Sequence, residues 1–451
     1  MEYVIYFIIT IGILVFVHEF GHFAAAKICK MRVDVFALGM GKRLFGWNKL
    51  TGFVWGDLPK DFDGQGHTDY RVALLPLGGY VKIAGMVDES FDTKFAEEEP
   101  KPYEFRAKPT YQKLFVITAG VMMNLVLTVA IFWGINFYQG RQIIKTTKIG
   151  AVQDTSLAAK VGFKTNDKII AVDNKNVKNW QDMNLAFVEN IGKDLKVEIQ
   201  RRGKDTSLSL PSSIISKKVI KSGSFLPISY TKPLIEEVMK DSPAETAGIK
   251  AGDIFLKINN TPVENSAQLI KIISSSKNKD LSILTLRGKD TVAISVNPGI
   301  SGKIGVAIRD IYTGPVEKAE YGFWGSFNQS VANIGRYTML TFSMVGNIIN
   351  GDVEFSSAFG GPVKIAKYAA QSADAGIITF LFFLAMLSLS LAIINILPFP
   401  ALDGGHFVII FIEGIMGREL PVKAKIAIQN FGFVILLLLM VFIIYSDIIS
   451  L

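Results

Sequence analysis

Residues 17–25 read Val-His-Glu-Phe-Gly-His-Phe-Ala-Ala and lie near the end of an apolar segment that runs from Tyr3 to Ala26. On a helix, His18 and His22 share one face, so both imidazoles can bind a single zinc ion. Glu19 is adjacent and suits a proton acceptor better than a ligand. An ionisable side chain costs about 2.5–3.5 kcal/mol at the centre of a membrane helix. The pattern therefore predicts a metal site, with a metal-free polar helix interior as the alternative.

The composition predicts a polytopic α-helical membrane protein with about four transmembrane helices. The chain has 451 residues, of which 49% are hydrophobic, and several apolar runs reach the length of a membrane span. These runs are Tyr3 to Ala26, Tyr111 to Tyr138, about Ala375 to Leu397, and a last one through Phe431 to Tyr445. The N-terminal membrane core is expected to cover residues 1–139 and the C-terminal membrane core residues 373–451.

Charge and cysteine content narrow the class of protein. The net charge is +8, which in a membrane protein reflects basic cytoplasmic loops, so no nucleic-acid partner is inferred. Cys29 is the only cysteine, which excludes an internal disulfide. The first apolar segment lacks a basic start and contains the candidate metal ligands, so we expect a retained span rather than a cleaved signal peptide.

The basic residues after the first span predict the orientation of the chain in the inner membrane. Residues 27–49 contain six Lys and Arg residues and one acidic residue, Asp34. This bias places the histidine motif toward the cytoplasm. Both termini and residues 140–370 are then expected on the outer, periplasmic side.

Between the first two spans, residues 34–104 predict a membrane-associated β-hairpin region. Short strands are expected at 35–39 and 70–82, and the second contains Gly78 and Gly79. It is either a re-entrant hairpin beside the membrane core or a soluble hairpin on the cytoplasmic surface. An open strand edge at this position can pair with an extended substrate. Residues 88–104 are acidic and predict a mobile loop.

The second span contains Gly120 and, one turn later, Asn124. Glycine lets helices approach closely and asparagine can donate hydrogen bonds across a helix pair, so we expect a helix-packing role. A direct role at the active site is the alternative.

Residues 140–311 contain an internal repeat, because the pattern of residues 161–174 returns at 247–260. Each copy continues into a helical stretch, at 179–189 and 266–274, and then a strand that ends in Arg-Gly-Lys. Residues 242–253 resemble a PDZ domain, so two tandem PDZ-like α+β domains are expected at 140–218 and 219–311. PDZ domains bind peptide or protein segments by strand addition in a groove; domains that serve only as spacers are the alternative.

Beyond the repeat, residues 312–372 predict amphipathic helices at the outer membrane surface, although residues 324–349 could form a further span. The third span ends in Asn395-Ile-Leu-Pro398-Phe-Pro-Ala-Leu-Asp403-Gly-Gly-His406. A catalytic zinc needs a third protein ligand, for which the candidates are Asp403, His406 and Glu413. Asp403 follows a helix broken at membrane depth, where an unpaired carboxylate is costly.

The two motifs and the intervening repeat resemble the site-2 protease family of intramembrane zinc metalloproteases across essentially the whole chain. The resemblance implies that His18, His22 and Asp403 bind one zinc and that Glu19 is the catalytic base. It also implies that substrate is contacted by Asn395 and by the hairpin that contains Gly78 and Gly79. We include Pro398, which follows Asn395, and Asn124 among the expected substrate contacts. The family often has Ala-Gly-Pro before the asparagine that corresponds to Asn124, whereas here Val121 follows Gly120 in place of proline.

These features together predict an endopeptidase that hydrolyses a peptide bond within the transmembrane segment of a single-pass membrane protein in the lipid bilayer. The resemblance implies an anti-sigma factor, already trimmed by a first protease, as the substrate class. We expect a monomer in which the PDZ-like domains act as a size filter. A metal transporter and a PDZ-bearing membrane scaffold are the alternatives, and replacement of Glu19 separates them from a protease.

Overall fold

The structure is a computed structural model that describes residues 2–59, 62–86, 99–154, 156–190, 192–212, 226–350 and 360–449. It divides the chain into two compact units. The first contains residues 1–140, 320–342 and 355–451, and the second contains residues 141–319 and 343–354. Of the predicted acidic loop at 88–104, residues 88–98 lie outside the described residues.

The first unit is mainly helical. Its helices, with α7 shared between the two units, are α1 (Glu2–Ile28), α2 (Thr110–Gln139), α7 (Phe323–Ile349), α8 (Pro362–Asp374), α9 (Ile377–Ile396), α10 (Asp403–Met416) and α11 (Val422–Ile449). Among the described residues, four helices are long and apolar enough to cross a membrane: Tyr3–Ile28, Thr110–Gln139, Ile377–Ile396 and Val422–Ile449. The prediction of about four spans is therefore confirmed at the level of length and composition.

The last of these helices begins earlier than the predicted segment at Phe431. It starts at Val422, directly after Pro421, a residue that is well tolerated at the start of a helix. The charges of Lys423 and Lys425 lower the hydropathy of this first part of the helix, so the apolar pattern begins only later. At its other end, Asp447 accepts hydrogen bonds from the backbone N–H groups of Gly361 and Lys364, and so caps the start of α8.

Helices α1, α2 and α9 pack closely because small residues lie between them. A Cβ atom on Gly21 of α1 would overlap the Ala119 carbonyl group of α2 and would lie 2.9 Å from Cγ of Met123. On the other side of α2, the Ser388 hydroxyl of α9 donates to the Asn124 carbonyl oxygen at 2.8 Å. Close approach and interhelical hydrogen bonds are the usual means of association for membrane helices.

A three-stranded sheet follows α1 and consists of β1 (Val33–Asn48), β2 (Gly52–Trp55) and β3 (Asp69–Ile83). The strands are longer than predicted and both bend: β1 turns at Gly39, with φ +87°, and β3 turns at Gly78, with φ +75°. Leu38 is consequently paired with Val72 on one side and with Gly79 on the other. Residues 79–83 thus form an outer edge of the sheet.

The second unit contains the predicted repeat. The first copy comprises α3 (Leu157–Val161), β5 (Lys168–Val172), β6 (Lys175–Asn176), α4 (Trp180–Glu189), β7 (Leu195–Arg201) and β8 (Lys204–Leu210). The second comprises β9 (Thr231–Val238), α5 (Pro243–Thr246), β10 (Ile254–Ile258), β11 (Thr261–Pro262), α6 (Ser266–Ser275), β12 (Leu281–Arg287), β13 (Asp290–Val296) and β14 (Val306–Tyr312). The predicted helices at 179–189 and 266–274 are α4 and α6, so both helix predictions are confirmed.

Each copy contains an equivalent ion pair between a buried aspartate and a partly exposed arginine. Arg201 holds Asp167 through two hydrogen bonds of 2.8 and 2.7 Å, and Arg287 holds Asp253 through two of 2.7 Å. The aspartates lie just before β5 and β10, and the arginines are the last residues of β7 and β12. The two copies are therefore similar in this tertiary contact as well as in sequence.

The segment 312–372, expected to form amphipathic helices, begins with a strand. Residues 316–319 form a strand, β15 (Val316–Ala319), which pairs with β4 (Arg141–Ile144) so that Val316 lies opposite Ile144. The short antiparallel ribbon brings the beginning and the end of the second unit together. Residues 323–349 are a single helix, α7, and it is not one of the four candidate spans.

Candidate metal centre and active site

Three side chains from the two sequence motifs meet in the first unit. His18 and His22 project from α1, and Asp403 is the first residue of α10. The Asp403 Oδ2 atom lies 3.2 Å from His18 Nε2 and 3.5 Å from His22 Nε2, and the two Nε2 atoms are 3.2 Å apart. Within the described residues, this is the only group of three or more His, Cys, Asp or Glu side chains arranged to hold a metal ion.

The geometry of the three atoms fits a tetrahedral zinc ion. Ligand atoms about 2.0–2.1 Å from a tetrahedral ion lie about 3.3–3.4 Å from one another, close to the three separations here. The Asp403 Oδ2 atom is buried and accepts no hydrogen bond from any residue that the structure describes. A buried, ionised oxygen without a partner is costly, and a bound cation would remove that cost. The donor set of two imidazoles and one carboxylate is also usual for a catalytic zinc.

Helix α2 supports the two histidines from behind. His22 Nδ1 lies 2.8 Å from the carbonyl oxygen of Val116, which can only accept, so Nδ1 carries the proton and Nε2 keeps its lone pair for a metal. Gly120 faces both rings. A Cβ atom at this position would overlap His22 Nε2 and would lie 2.8 Å from Cε1 of His18. The lack of a side chain at residue 120 therefore provides the space that the imidazoles occupy.

Three glycines allow close backbone packing around the turn that precedes Asp403. Residues 397–402 link α9 to α10, and Ala401 adopts a φ of +74° in this turn. A Cβ atom on Gly404 would overlap the Leu397 carbonyl oxygen, one on Gly405 would lie 2.8 Å from the Phe399 carbonyl carbon, and one on Gly432 would lie 2.5 Å from the Pro400 carbonyl carbon. The close backbone packing explains why Asp-Gly-Gly follows the proline-rich turn.

Glu19 lies beside the three ligand candidates and next to the edge of the sheet. A Cβ atom built on Gly79 would be 3.1 Å from Glu19 Cγ and 2.7 Å from Val15 Cγ1. The β3 edge at residues 79–83 thus runs along the face of α1 that carries Glu19. A segment paired with this edge would pass close to the Glu19 carboxylate.

The other predicted substrate contacts lie around the same motifs. Asn395 is in the last turn of α9 and only 9% exposed, whereas Pro398 is exposed in the turn to α10. Gly78 occupies the bend of β3, where a Cβ would lie 2.9 Å from Met40 Cε. A short turn connects Asn395, at the end of α9, to Asp403, and Pro398 lies in this turn. Gly78 precedes Gly79, which lies next to Glu19.

Two candidates for the third metal ligand do not join the cluster. His406 Nε2 lies 3.0 Å from the Gln429 side-chain amide of α11. The Glu413 carboxylate accepts from the Leu420 backbone N–H at 2.7 Å and pairs with Lys425 at 2.7 Å. Both side chains thus serve contacts near the start of α11. The structure brings Asp403 alone, of the three, to the histidines.

Asn124 lies between the helices, as expected from the sequence, and it also reaches the candidate metal site. It is fully buried, and its side-chain amide lies 3.0 Å from Nδ1 of His18. The spacing from Gly120 contained a usable signal, since residues four apart on α2 share a face and both meet the histidines. Asn124 also joins helices in two ways: its side chain meets His18 of α1, and its backbone carbonyl oxygen accepts from Ser388 of α9.

Comparison with known proteins agrees with the geometry. The model of peptidase family M50 matches residues 6–439. The regulator of sigma E protease from Haemophilus influenzae is 30% identical over 461 aligned positions, which cover 98% of this chain and 97% of the relative. A putative zinc metalloprotease from Vibrio cholerae and the regulator of sigma-E protease RseP from Escherichia coli K12 are each 29% identical, again over 98% of this chain and 97% of theirs. The chain therefore belongs to peptidase family M50, the site-2 type of zinc metalloprotease.

Proposed function

We propose that this protein is an intramembrane endopeptidase that hydrolyses a peptide bond within the transmembrane segment of a single-pass membrane protein. One observation supports this function above the others. The Nε2 atoms of His18 and His22 lie 3.2–3.5 Å from the Oδ2 atom of Asp403. The two histidines and Glu19 belong to α1, which is long and apolar enough to span a membrane.

In this mechanism His18, His22 and Asp403 hold the zinc ion, and Glu19 moves the proton. Zinc supplies a Lewis acid that lowers the pKa of water and polarises a carbonyl group. Glu19 accepts a proton from the attacking water and donates it to the amine that leaves as the peptide bond breaks. The carboxylate returns to its starting state, so one water is consumed for each bond cut.

The substrate is held as a strand in this proposal. A helix hides its carbonyl groups in internal hydrogen bonds, so the scissile segment must unwind before water can attack. Residues 79–83 of β3 form an outer edge of the sheet, where an added strand would pair, and Gly79 of this edge lies beside Glu19. We assign Gly78 and Gly79 to this edge, and Asn395 and Pro398 to substrate contacts on the side of Asp403.

We further propose an anti-sigma factor, shortened by an earlier cut, as the substrate class. The support is that two relatives are named as regulators of sigma E. The repeats are assigned as PDZ-like domains that limit the size of the substrate's outer part. The protein is placed in the inner membrane with the repeats outside and the active site toward the cytoplasm, because Lys and Arg follow the first span.

Cleavage of a purified substrate tests the catalytic proposal. The protein in liposomes is mixed with a single-pass substrate, and the product ends are located by mass spectrometry. We expect a cut inside the transmembrane segment that stops after chelation and returns when zinc is added. A cut outside that segment, or one insensitive to chelation, would contradict the proposal.

Deletion of the repeats tests the size filter. Ile144 and Val316 are paired across the β4–β15 ribbon, so a short Gly/Ser linker can replace residues 145–315 with little strain. The filter predicts that the shortened enzyme cuts an untrimmed substrate that the full chain rejects. If PDZ grooves instead recruit the trimmed end, the deletion lowers cleavage of trimmed substrate and leaves the untrimmed one intact.

A further inference from the structure

We propose that Asn124 is a positioning residue that holds His18 in the tautomer required for zinc binding by accepting a hydrogen bond from its Nδ1–H. This inference deepens the proposed function and rests on His18 being a zinc ligand. It assigns to the Asn124 side chain a role in metal affinity in place of substrate binding.

The direction in which the His18 ring faces decides which nitrogen can bind a metal. Its Nε2 atom is the one that lies 3.2 Å from both Asp403 Oδ2 and His22 Nε2. A ligating nitrogen must offer its lone pair, so in the neutral ring the proton has to reside on Nδ1. Nδ1 is then a donor that needs an acceptor.

Asn124 is the neighbour of that donor. Its amide nitrogen is placed 3.0 Å from His18 Nδ1, and its Oδ1 atom is buried without a hydrogen-bond partner among the described residues. If the amide N–H donated a hydrogen bond to Nδ1, the proton of the neutral ring would reside on Nε2, which faces the metal centre. Rotation of the amide by 180° exchanges its oxygen and nitrogen, and Oδ1 then accepts from Nδ1–H.

His22 displays the same arrangement with a different acceptor. Its Nδ1 faces the Val116 carbonyl oxygen at 2.8 Å, so each histidine has an α2 partner behind it. Val116, Gly120 and Asn124 follow one another at intervals of four residues along α2 and lie on one face. That face supports the metal site as a unit: one carbonyl acceptor, one gap for the rings, and one amide acceptor.

Zinc affinity of the full-length protein tests this role without any measurement of cleavage. Partners behind a metal-bound histidine contribute about 10–100-fold to affinity. In competition with a fluorescent zinc chelator, Asn124→Leu should therefore bind zinc about 10–100-fold more weakly. Asn124→Asp should restore an affinity close to that of the unmodified protein, because a carboxylate accepts the same hydrogen bond.

Two controls separate the possible outcomes. Asn136→Leu removes another buried asparagine from α2, one whose amide donates to Ser330, and should leave zinc affinity unchanged. His18→Ala should abolish tight zinc binding. Unchanged affinity in Asn124→Leu, or equal losses in the Leu and Asp variants, would overturn the acceptor role while the metal site stands. Retained zinc in His18→Ala would overturn both the metal site and the role of Asn124.

Discussion

Gly120 lies directly against His18: a Cβ atom at residue 120 would be 2.8 Å from Cε1 and 2.9 Å from Nε2 of that ring. The same atom would overlap Nε2 of His22. The contact joins the second span to the histidine motif of the first. Small residues on α2 therefore determine how far the two imidazoles can turn toward Asp403.

Gly120→Ala should displace the imidazoles and greatly weaken zinc binding. Added atoms in a well-packed site typically cost about 1–3 kcal/mol, and here the relief would come from rotation of the ligand rings. Zinc content of the purified protein, measured by elemental mass spectrometry, checks this expectation. Gly134→Ala is the matched control, because a Cβ at this position of the same helix meets nothing within 4 Å. Equal zinc content in the two variants would contradict the assigned contact.

Asp403→Asn should lose zinc, and Glu413→Gln should retain it. Both changes replace a carboxylate on α10 by an amide of the same shape. Only Asp403 faces the histidines, whereas Glu413 accepts from Leu420 and pairs with Lys425. Zinc titration of the two proteins distinguishes the candidates, and the reverse pattern would assign the third ligand to Glu413.

Thiol labelling tests the orientation predicted from the basic residues after α1. With Cys29 replaced by serine, a single cysteine at Lys175 should react with an impermeant reagent from the outer side. A cysteine at Lys49, which is exposed in the turn after β1, should react only after the cytoplasmic side is opened. Labelling in the opposite sense would place the active site toward the outer side.

Acid should destabilise the second repeat through Asp253. Burial alone would raise the pKa of this carboxyl, but hydrogen bonds from Arg287 and the Lys250 N–H outweigh burial and hold the pKa below its usual value of 3.8. Because the pKa is lower in the folded state, the stabilisation is complete above pH 3.8 and is lost as the pH falls through the folded pKa.

Hydrogen-exchange protection of residues 231–312 in the full chain, corrected for the intrinsic rates, measures this loss. Protection should fall below about pH 4 in the unmodified protein. Asp253→Asn should show lower protection at neutral pH and a smaller further decrease in acid. An identical acid response in the two proteins would exclude Asp253 as the group responsible.

The sequence predicted the parts of the molecule that depend on local pattern. His18 and His22 had to share a helix face, and the repeat at 161–174 and 247–260 had to fold in two similar copies. Membrane-spanning helices were identified by length and apolarity, except at Val422, where Lys423 and Lys425 interrupt the pattern although the helix continues.

Contacts between distant segments could not be read in the same way. Spacing alone left Asp403, His406 and Glu413 as candidates, although the broken end of the third span favoured Asp403. The packing of Gly404, Gly405 and Gly432 in and against the turn fixes the place of Asp403 beside the histidines. The strand at Val316–Ala319 depends on pairing with β4, far away in sequence. The contact between Asn124 and His18 likewise arises from the packing of α1 against α2.

Glu19→Gln provides the most direct test of the central claim, that zinc held by His18, His22 and Asp403 acts with Glu19 to cut a transmembrane segment. The measurement pairs zinc content with the rate of cleavage of a single-pass substrate in liposomes. The account predicts unchanged zinc and a rate lower by at least about 10²–10⁴-fold, the usual contribution of a general acid–base group. Cleavage by the Glu19→Gln protein at the rate of the unmodified enzyme, with zinc bound in both, would contradict it.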